Sequence, residues 1–359
     1  MIKTFELYLI LLFSRKILNI FLIFFALIFI LNLFEEINFF KDLQTGIFFP
    51  LILSGLNTPA TLFEIFPFIF LISAQFFFIE LINKNELEVL KVNGLNNFKI
   101  IKVIFYTSFV LGLFLVMVYY NFSSKLKFLY LDLKNTHSND NKYLAVVTEN
   151  GLWIKDEIGE RVYIINAKRI EGIYLEEVSI AEFNIDFDLI NLILAKRADV
   201  SNYNWKIFDP TISKGNTTIK KIETYNLLTH FDKKKINGLF RNLSSLSISQ
   251  LMKLSEDYDS IGYSTVEIKS HVYRLSSFPF YVSIMSLLSS VIMLNIKRNK
   301  PIIFHIILGI FLSVTIYYFY YLFNLFGVTA KVPVMMSTWL PLIMLTFLIS
   351  IGLVRINEK

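Results

Sequence analysis

Of 359 residues, 55% are hydrophobic and 18% charged, and a mean hydropathy of +0.55 is too apolar for a water-soluble protein with ordinary loops. The net charge is +6, yet residues 121–270 hold 20 Lys/Arg and 20 Asp/Glu; a neutral polar block excludes a nucleic-acid domain, which would gather its cations on the folded polar unit. With no cysteine, there is no disulfide framework, no thiolate metal site and no cysteine nucleophile.

In chain order, the opening stretch as far as Arg15 and Lys16 is amphipathic and basic. It predicts a short interfacial helix ahead of a first span at 17–34. Glu35 and Glu36 close that span, and without a small-residue cleavage site after it no cleavable signal peptide is expected. Residues 47–56 are apolar again but too few to span alone, and a second span is expected at 59–81, with Glu64, Pro67 and Gln75 inside it. A polar break at 83–102 follows. Within it Leu87, Leu90 and Val92 lie among Glu86, Glu88 and Lys91, which predicts a short amphipathic helix stopping at Asn93 and Gly94. A third span at 104–120 leads into the polar block, and spans at 276–296, 302–325 and 334–354 complete six.

The polar block itself reads as β. Short β-prone runs at 143–148, 152–155 and 162–166 are joined by turn signals at Asn150-Gly151 and Ile158-Gly159. Further runs at 178–185, 189–200, 205–208 and 217–224, broken at 201–204 and at Asp209-Pro210, suggest a sandwich or jelly roll. From Leu246 the pattern turns helical, with Ser247 and Ser249 as capping residues, and 265–275 runs helically into the fourth span.

Charge sets the orientation. Residues 1–16, 83–102, 297–300 and 355–359 carry 12 of the 15 Lys/Arg outside the polar block. By the positive-inside rule both termini are cytoplasmic and residues 121–270 face outward. The expected architecture is therefore an α-helical membrane protein with six transmembrane helices and an inserted extracytoplasmic β-jelly-roll domain. Its parts are an N-terminal membrane half at 1–120, the β domain with a helical connection at 121–270, and a C-terminal membrane half at 271–359.

This layout resembles the LptF/LptG permeases of lipopolysaccharide export, and local sequence strengthens the match. Gly151, Leu152, Trp153, Ile154, Lys155 and Asp156, followed by Val162, Tyr163 and Ile164, are similar to the first hairpin of the LptG periplasmic domain. Leu246 to Ser249 resembles the segment that returns that domain to the membrane. Pro333 with Trp339, Leu340 and Pro341 resembles the family's last span, and Asn85 to Leu90, closing at Gly94, its coupling helix. The resemblance covers nearly the whole chain and is nearer LptG than LptF. It departs at the outer end of the first span, where LptG-type members often carry a cation and this chain reads Leu33, Phe34, Glu35, Glu36, with Lys41 the nearest.

The resemblance implies an inner-membrane permease subunit that extracts lipopolysaccharide and passes it to a periplasmic bridge. The implied partners are a dimeric LptB-like cytoplasmic ATPase, a paralogous LptF-like permease, and LptC-like and LptA-like jelly-roll bridge proteins. No cofactor is expected on this chain; ATP-Mg belongs to the partner ATPase. The coupling helix spans about 83–97, with Leu87 and Leu90 as apolar anchors, Glu86 as the carboxylate that fixes register, and Gly94 closing it. An amphipathic loop helix lying at the lipid interface would show the same pattern.

Lipid phosphates would need cations at the outer interface. Lys41, Lys125, Lys127, Arg274 and Lys331 are the candidates, although each could equally snorkel to ordinary head groups. Aromatic residues of the first two spans and Tyr317, Tyr318, Tyr320 and Tyr321 are candidates to line an acyl cavity, and Trp153 and Tyr163 are expected in the β-domain interior on the lipid path. Glu64 and Gln75 invite a proton-relay reading, against which an interfacial carboxylate is the simpler account of Glu64. His305 is expected to make a local hydrogen bond, and the four histidines lack metal-ligand spacing. No Walker A loop, nucleophile elbow or zinc-protease helix is present, so the chain is expected to be no enzyme. Two alternatives remain open: a mechanotransmitting subunit for another envelope lipid or lipoprotein, and a membrane-anchored envelope sensor or enzyme.

Overall fold

The computed structural model describes residues 4–41, 46–137, 152–171, 173–185, 187–214, 217–233, 236, 242–260, 264–295, 301–329 and 331–357. The β run expected at 143–148, the Asn150-Gly151 turn and the basic loop at 297–300 lie outside them. The chain forms two compact units. One comprises 1–128, 244–251 and 265–359; the other comprises 129–243 and 252–264.

The first unit is helical. The helices, in chain order, are α1 (Thr4–Phe39), α2 (Phe48–Asn83), α3 (Glu86–Val92), α4 (Asn97–Phe114), a π turn (Leu115–Tyr119), α5 (Tyr120–His137), α6 (Ile248–Ser260), α7 (Val266–Leu294), α8 (Ile302–Val328) and α9 (Val334–Asn357); α5 from residue 129 and α6 from residue 252 belong to the second unit. Among the described residues, six helical stretches are long and apolar enough to cross a membrane. Three boundaries differ from the sequence expectation. The predicted interfacial helix and first span are one continuous α1. Residues 47–56 do not stand apart, because α2 runs straight through Pro59 and Pro67. A membrane helix tolerates proline where neighbouring helices and local adjustments satisfy the released backbone groups. The third helix does not stop at 120 but continues through the π turn to His137, its apolar positions now interleaved with lysines and Asp132.

The small residues of α7 let neighbouring helices come close. Ser277, Ser283, Ser286, Ser289 and Ser290 are all buried, and Ser286 pairs with Ser108 of α4 at 2.9 Å. At Gly112 a side chain would stand 2.8 Å from the Cα of Pro279 and 2.8 Å from Val282 Cγ2. This is the small-residue packing that substitutes for a hydrophobic driving force in lipid. The predicted capping of α6 is present as a reciprocal pair: Gln250 N donates to Ser247 Oγ at 3.4 Å, and Ser247 N donates to Gln250 Oε1 at 2.9 Å.

The second unit carries an antiparallel sheet of β1 (Leu152–Ile158), β2 (Arg161–Glu171), β3 (Tyr174–Phe183), β4 (Leu189–Asp199), β5 (Asn204–Phe208), β6 (Thr211–Lys214), β7 (Thr217–Lys221) and β8 (Thr224–Leu228). Their order is β1-β2-β3-β4-β5-β8, with β6 pairing β4 and β7. Gly159, at φ +64, is the first residue of the two-residue β1–β2 loop, the position where a II′ turn calls for glycine. Asp209, at φ +47 before Pro210, turns the corner between β5 and β6. Both therefore pair with β4, β5 along Arg197–Asp199 and β6 along Leu192–Leu194. The run expected at 217–224 is β7, and sequence reading missed both β6 and β8, which begins only where that run ends. Trp205 is fully buried in the core of this unit with Ile165, Leu175, Ile180 and Ile207, and its indole N–H donates to the Phe231 carbonyl at 2.6 Å.

Candidate functional site

A cavity of about 110 Å³ opens in the helical unit among α2, α5, α7 and α8. Its walls are aromatic: Phe63 stacks on Phe278 with ring centroids 4.4 Å apart, and Tyr281 stacks on Tyr320 at 4.8 Å. One cation and one carboxylate line it, Arg274 from α7 and Glu64 from α2. Tyr281 also belongs to the lining, and its hydroxyl is buried with no hydrogen-bond partner, a condition uncommon for a buried polar group.

Arg274 is held by a chain of hydrogen bonds. Its guanidinium lies 2.9 Å from His271 Nδ1; His271 Nε2 lies 2.8 Å from the Tyr120 hydroxyl; that hydroxyl donates to the Leu246 carbonyl at 3.0 Å. A guanidinium can only donate and a carbonyl can only accept. The Tyr120 proton therefore goes to Leu246, and His271 is the neutral tautomer protonated at Nε2, accepting from Arg274 at Nδ1. At the end of the π turn, consecutive Tyr119 and Tyr120 serve different neighbours: Tyr119 donates to the Pro59 carbonyl of α2 at 3.1 Å.

Of the five cations proposed from sequence, only Arg274 is among the residues lining this cavity. Lys127 donates to Asn57 Oδ1 at 2.5 Å, within a polar cluster in which Asn57 reaches Asn32 at 3.4 Å and Asn32 reaches Thr58 at 3.2 Å. Lys41 and Lys125 are exposed, and Lys331 sits 5.9 Å from the Phe326 ring centre. Gln75 is buried mid-helix and donates to the His305 carbonyl at 2.9 Å, so it braces α8 and lies away from Glu64, which is exposed at the cavity. His305 Nδ1 lies 3.3 Å from the Pro301 carbonyl, the local bond expected of it.

The opposite end of the unit carries α3. Asn85, at φ +58, leads into it and Gly94, at φ +81, follows it, so the helix is bounded by left-handed turns. Glu86 accepts a hydrogen bond from the Tyr8 hydroxyl of α1 at 2.6 Å. Beside it Glu80 pairs with both Lys16 and Lys84, and the carboxylate raises the Lys84 ammonium above its ordinary range. Leu87 and Leu90 are half-buried, whereas Val89 and Val92 stand 58% and 86% exposed. The apolar face that α3 offers is thus made by the two valines, which the helical pattern of leucines concealed.

In the sheet unit the two expected interior residues part company. Tyr163 is buried, and burial together with the nearby Glu182 carboxylate pushes its phenol up, so it is neutral. Trp153 does not face the interior: it is 57% exposed. Leu152, Ile154 and Asp156 of β1 point inward, and strand alternation sends Trp153 to the other face. Glu182, also buried, is held by Arg161, by the Tyr163 hydroxyl at 3.3 Å and by Asn191 at 2.7 Å. Asp156 accepts from the His230 amide at 2.9 Å. Among the described residues no group of three His, Asp or Glu has metal-holding geometry.

The family model described as lipopolysaccharide export system permease LptF/LptG matches residues 7–355. No curated protein matches the chain.

Proposed function

Because the chain belongs to the LptF/LptG family of lipopolysaccharide export permeases, we propose that it is the LptG-like subunit of an ATP-driven exporter that lifts the lipid from the inner membrane and hands it to a periplasmic bridge. The family match over 7–355, on six membrane helices around an inserted antiparallel sheet, carries this reading. A four-span mechanotransmitter lacks that layout. The lysine and arginine bias supports cytoplasmic termini and a periplasmic sheet, which we take as the jelly roll that continues into LptC-like and LptA-like bridge proteins. The permease chain itself is no enzyme; ATP-Mg is used by the LptB-like ATPase dimer, and an LptF-like paralogue completes the cavity.

In this mechanism α3 meets the ATPase. Val89 and Val92 supply the apolar contact, Glu86 joins α3 to α1 through Tyr8, and motion of the ATPase is passed on to the membrane helices. Burying one valine is worth roughly 1.5–3 kcal/mol, so Val92→Asp should reduce co-purification with the ATPase at least tenfold while leaving the protein in the membrane. Glu86→Ala should also lower association, whereas Tyr8→Phe, which keeps the carboxylate, should not. Equal loss in both would mean that Glu86 acts only through α1.

Arg274 is the head-group cation of the cavity, and Lys41, Lys125, Lys127 and Lys331 lie near the same interface. The lipid then moves along the inner face of the sheet, held there by burial of its acyl chains. A photocrosslinking residue at position 163 should give ATP-dependent lipopolysaccharide adducts in the assembled complex, and one at 153 should give few. No adduct at 163 in a complex that hydrolyses ATP would overturn the export reading.

A further inference from the structure

Glu64 and Arg274 line one cavity from facing helices, yet they are not paired with each other. Among the described residues Glu64 makes no hydrogen bond or ion pair, and the polar contact of Arg274 is with the uncharged His271. Two opposite charges kept apart within one aromatic lining describe a site with one anionic and one cationic subsite. We propose that this cavity takes a phosphodiester that carries a primary amine, the phosphoethanolamine class of head group. The assignment rests on the lipid-export reading and specifies which head-group chemistry the cavity selects.

The guanidinium has five N–H groups, and those not engaged by His271 are available to a phosphate, the oxyanion for which its planar fork is suited. A lone phosphate would bring its charge against the Glu64 carboxylate, and like charges set side by side cost affinity. An ammonium on the same ligand reverses that sign: Glu64 accepts its N–H groups, and the faces of Tyr317 and Tyr321, which share the lining, attract a cation through their quadrupoles. Neutral His271 adds no charge and fixes where the guanidinium sits.

Native mass spectrometry of the full-length protein in detergent, titrated with phosphatidylethanolamine and phosphatidylglycerol of identical acyl chains, tests this. The wild type should retain the amine-bearing lipid at least fivefold better. Glu64→Gln, a change at an exposed residue, should bring that ratio to about one by admitting more phosphatidylglycerol. Arg274→Lys should weaken retention of both. Soluble phosphoethanolamine separates the sources: displacement of the lipid shows that the head group alone is recognised, and its failure assigns the site to the membrane-borne form. Equal or better retention of phosphatidylglycerol by the wild type, or an unchanged ratio in Glu64→Gln, overturns the proposal. Loss of this preference with adducts at position 163 intact would remove the head-group assignment alone; loss of the adducts with the preference intact would remove the export reading alone.

Discussion

Trp205→Ala is expected to unfold the sheet unit while leaving the membrane helices inserted. The side chain is completely buried among the aliphatic residues of the sheet core and donates to the Phe231 carbonyl. Removing a buried tryptophan typically costs about 3–5 kcal/mol, a large share of the roughly 5–15 kcal/mol that holds a domain together. At about 1.4 kcal/mol per factor of ten, the open fraction of the unit should rise by about three orders of magnitude. Limited proteolysis follows that fraction when opening is fast relative to cleavage. Membrane preparations of the variant should therefore be cut rapidly between β1 and β8, with the helical fragments protected. Trp205→Phe keeps most of the ring area and removes the indole donor, a loss of about 1 kcal/mol, and should remain largely resistant. Equal protection of Trp205→Ala and the wild type would show that the sheet does not depend on this core.

The second large effect is expected from Gly112→Leu. Even a Cβ at this position would lie 2.8 Å from the Cα of Pro279, and a backbone atom cannot step aside as the end of a side chain can. Accommodation requires α4 and α7 to separate, and overpacking of this kind costs about 1–3 kcal/mol or more. The absence of native cysteine gives a direct reporter. Ser108→Cys and Ser286→Cys, whose hydroxyls are 2.9 Å apart in the wild type, should form a disulfide on mild oxidation. Adding Gly112→Leu should lower that yield at least tenfold. Gly112→Ala should give an intermediate yield, because only one carbon has to be accommodated. An undiminished yield in the leucine variant would show that the close crossing at Gly112 is not required.

Six membrane helices and the meander from β1 to β4 were legible in the sequence, because long apolar runs and alternating strands are local patterns. Helix continuity was harder to read. Pro59 looks like a stop in a linear string, yet lipid makes an unpaired backbone so costly that α2 carries on through it; the charges after Tyr120 end the apolar run without ending the helix, which goes on to His137. The corner at Asp209 hid β6, since a strand that changes partners half-way has no signature of its own. The α3 helix was placed correctly, but which of its apolar residues face outward depends on what covers the others: Leu87 and Leu90 are partly covered by the unit they belong to. Arg274 was legible as a cation near an interface; its partners His271 and Tyr120, the latter 154 residues earlier in the chain, could be found only once the helices were packed. Glu64 reads from sequence as an interfacial carboxylate, and nothing in its neighbours along the chain points to the cavity it shares.

The π turn at Leu115–Tyr119 also bears on how this chain can change over evolution. Such a turn accommodates one residue more than the α-helix it interrupts, so the stretch behaves as a fixed insertion. Deleting one residue there would restore a regular helix and leave the phase of everything beyond it in place, because the wider turn already absorbs the extra residue. Tyr120 would still face His271, and Lys127 would still face Asn57. The same deletion in the regular helix on either side would rotate everything beyond it by about 100° about the axis and carry both side chains off their partners. Substitution at outward-facing Met117, 65% exposed, also leaves the phase untouched. Along this helix the cost of losing a codon thus depends on where it falls, and it is least within these five positions.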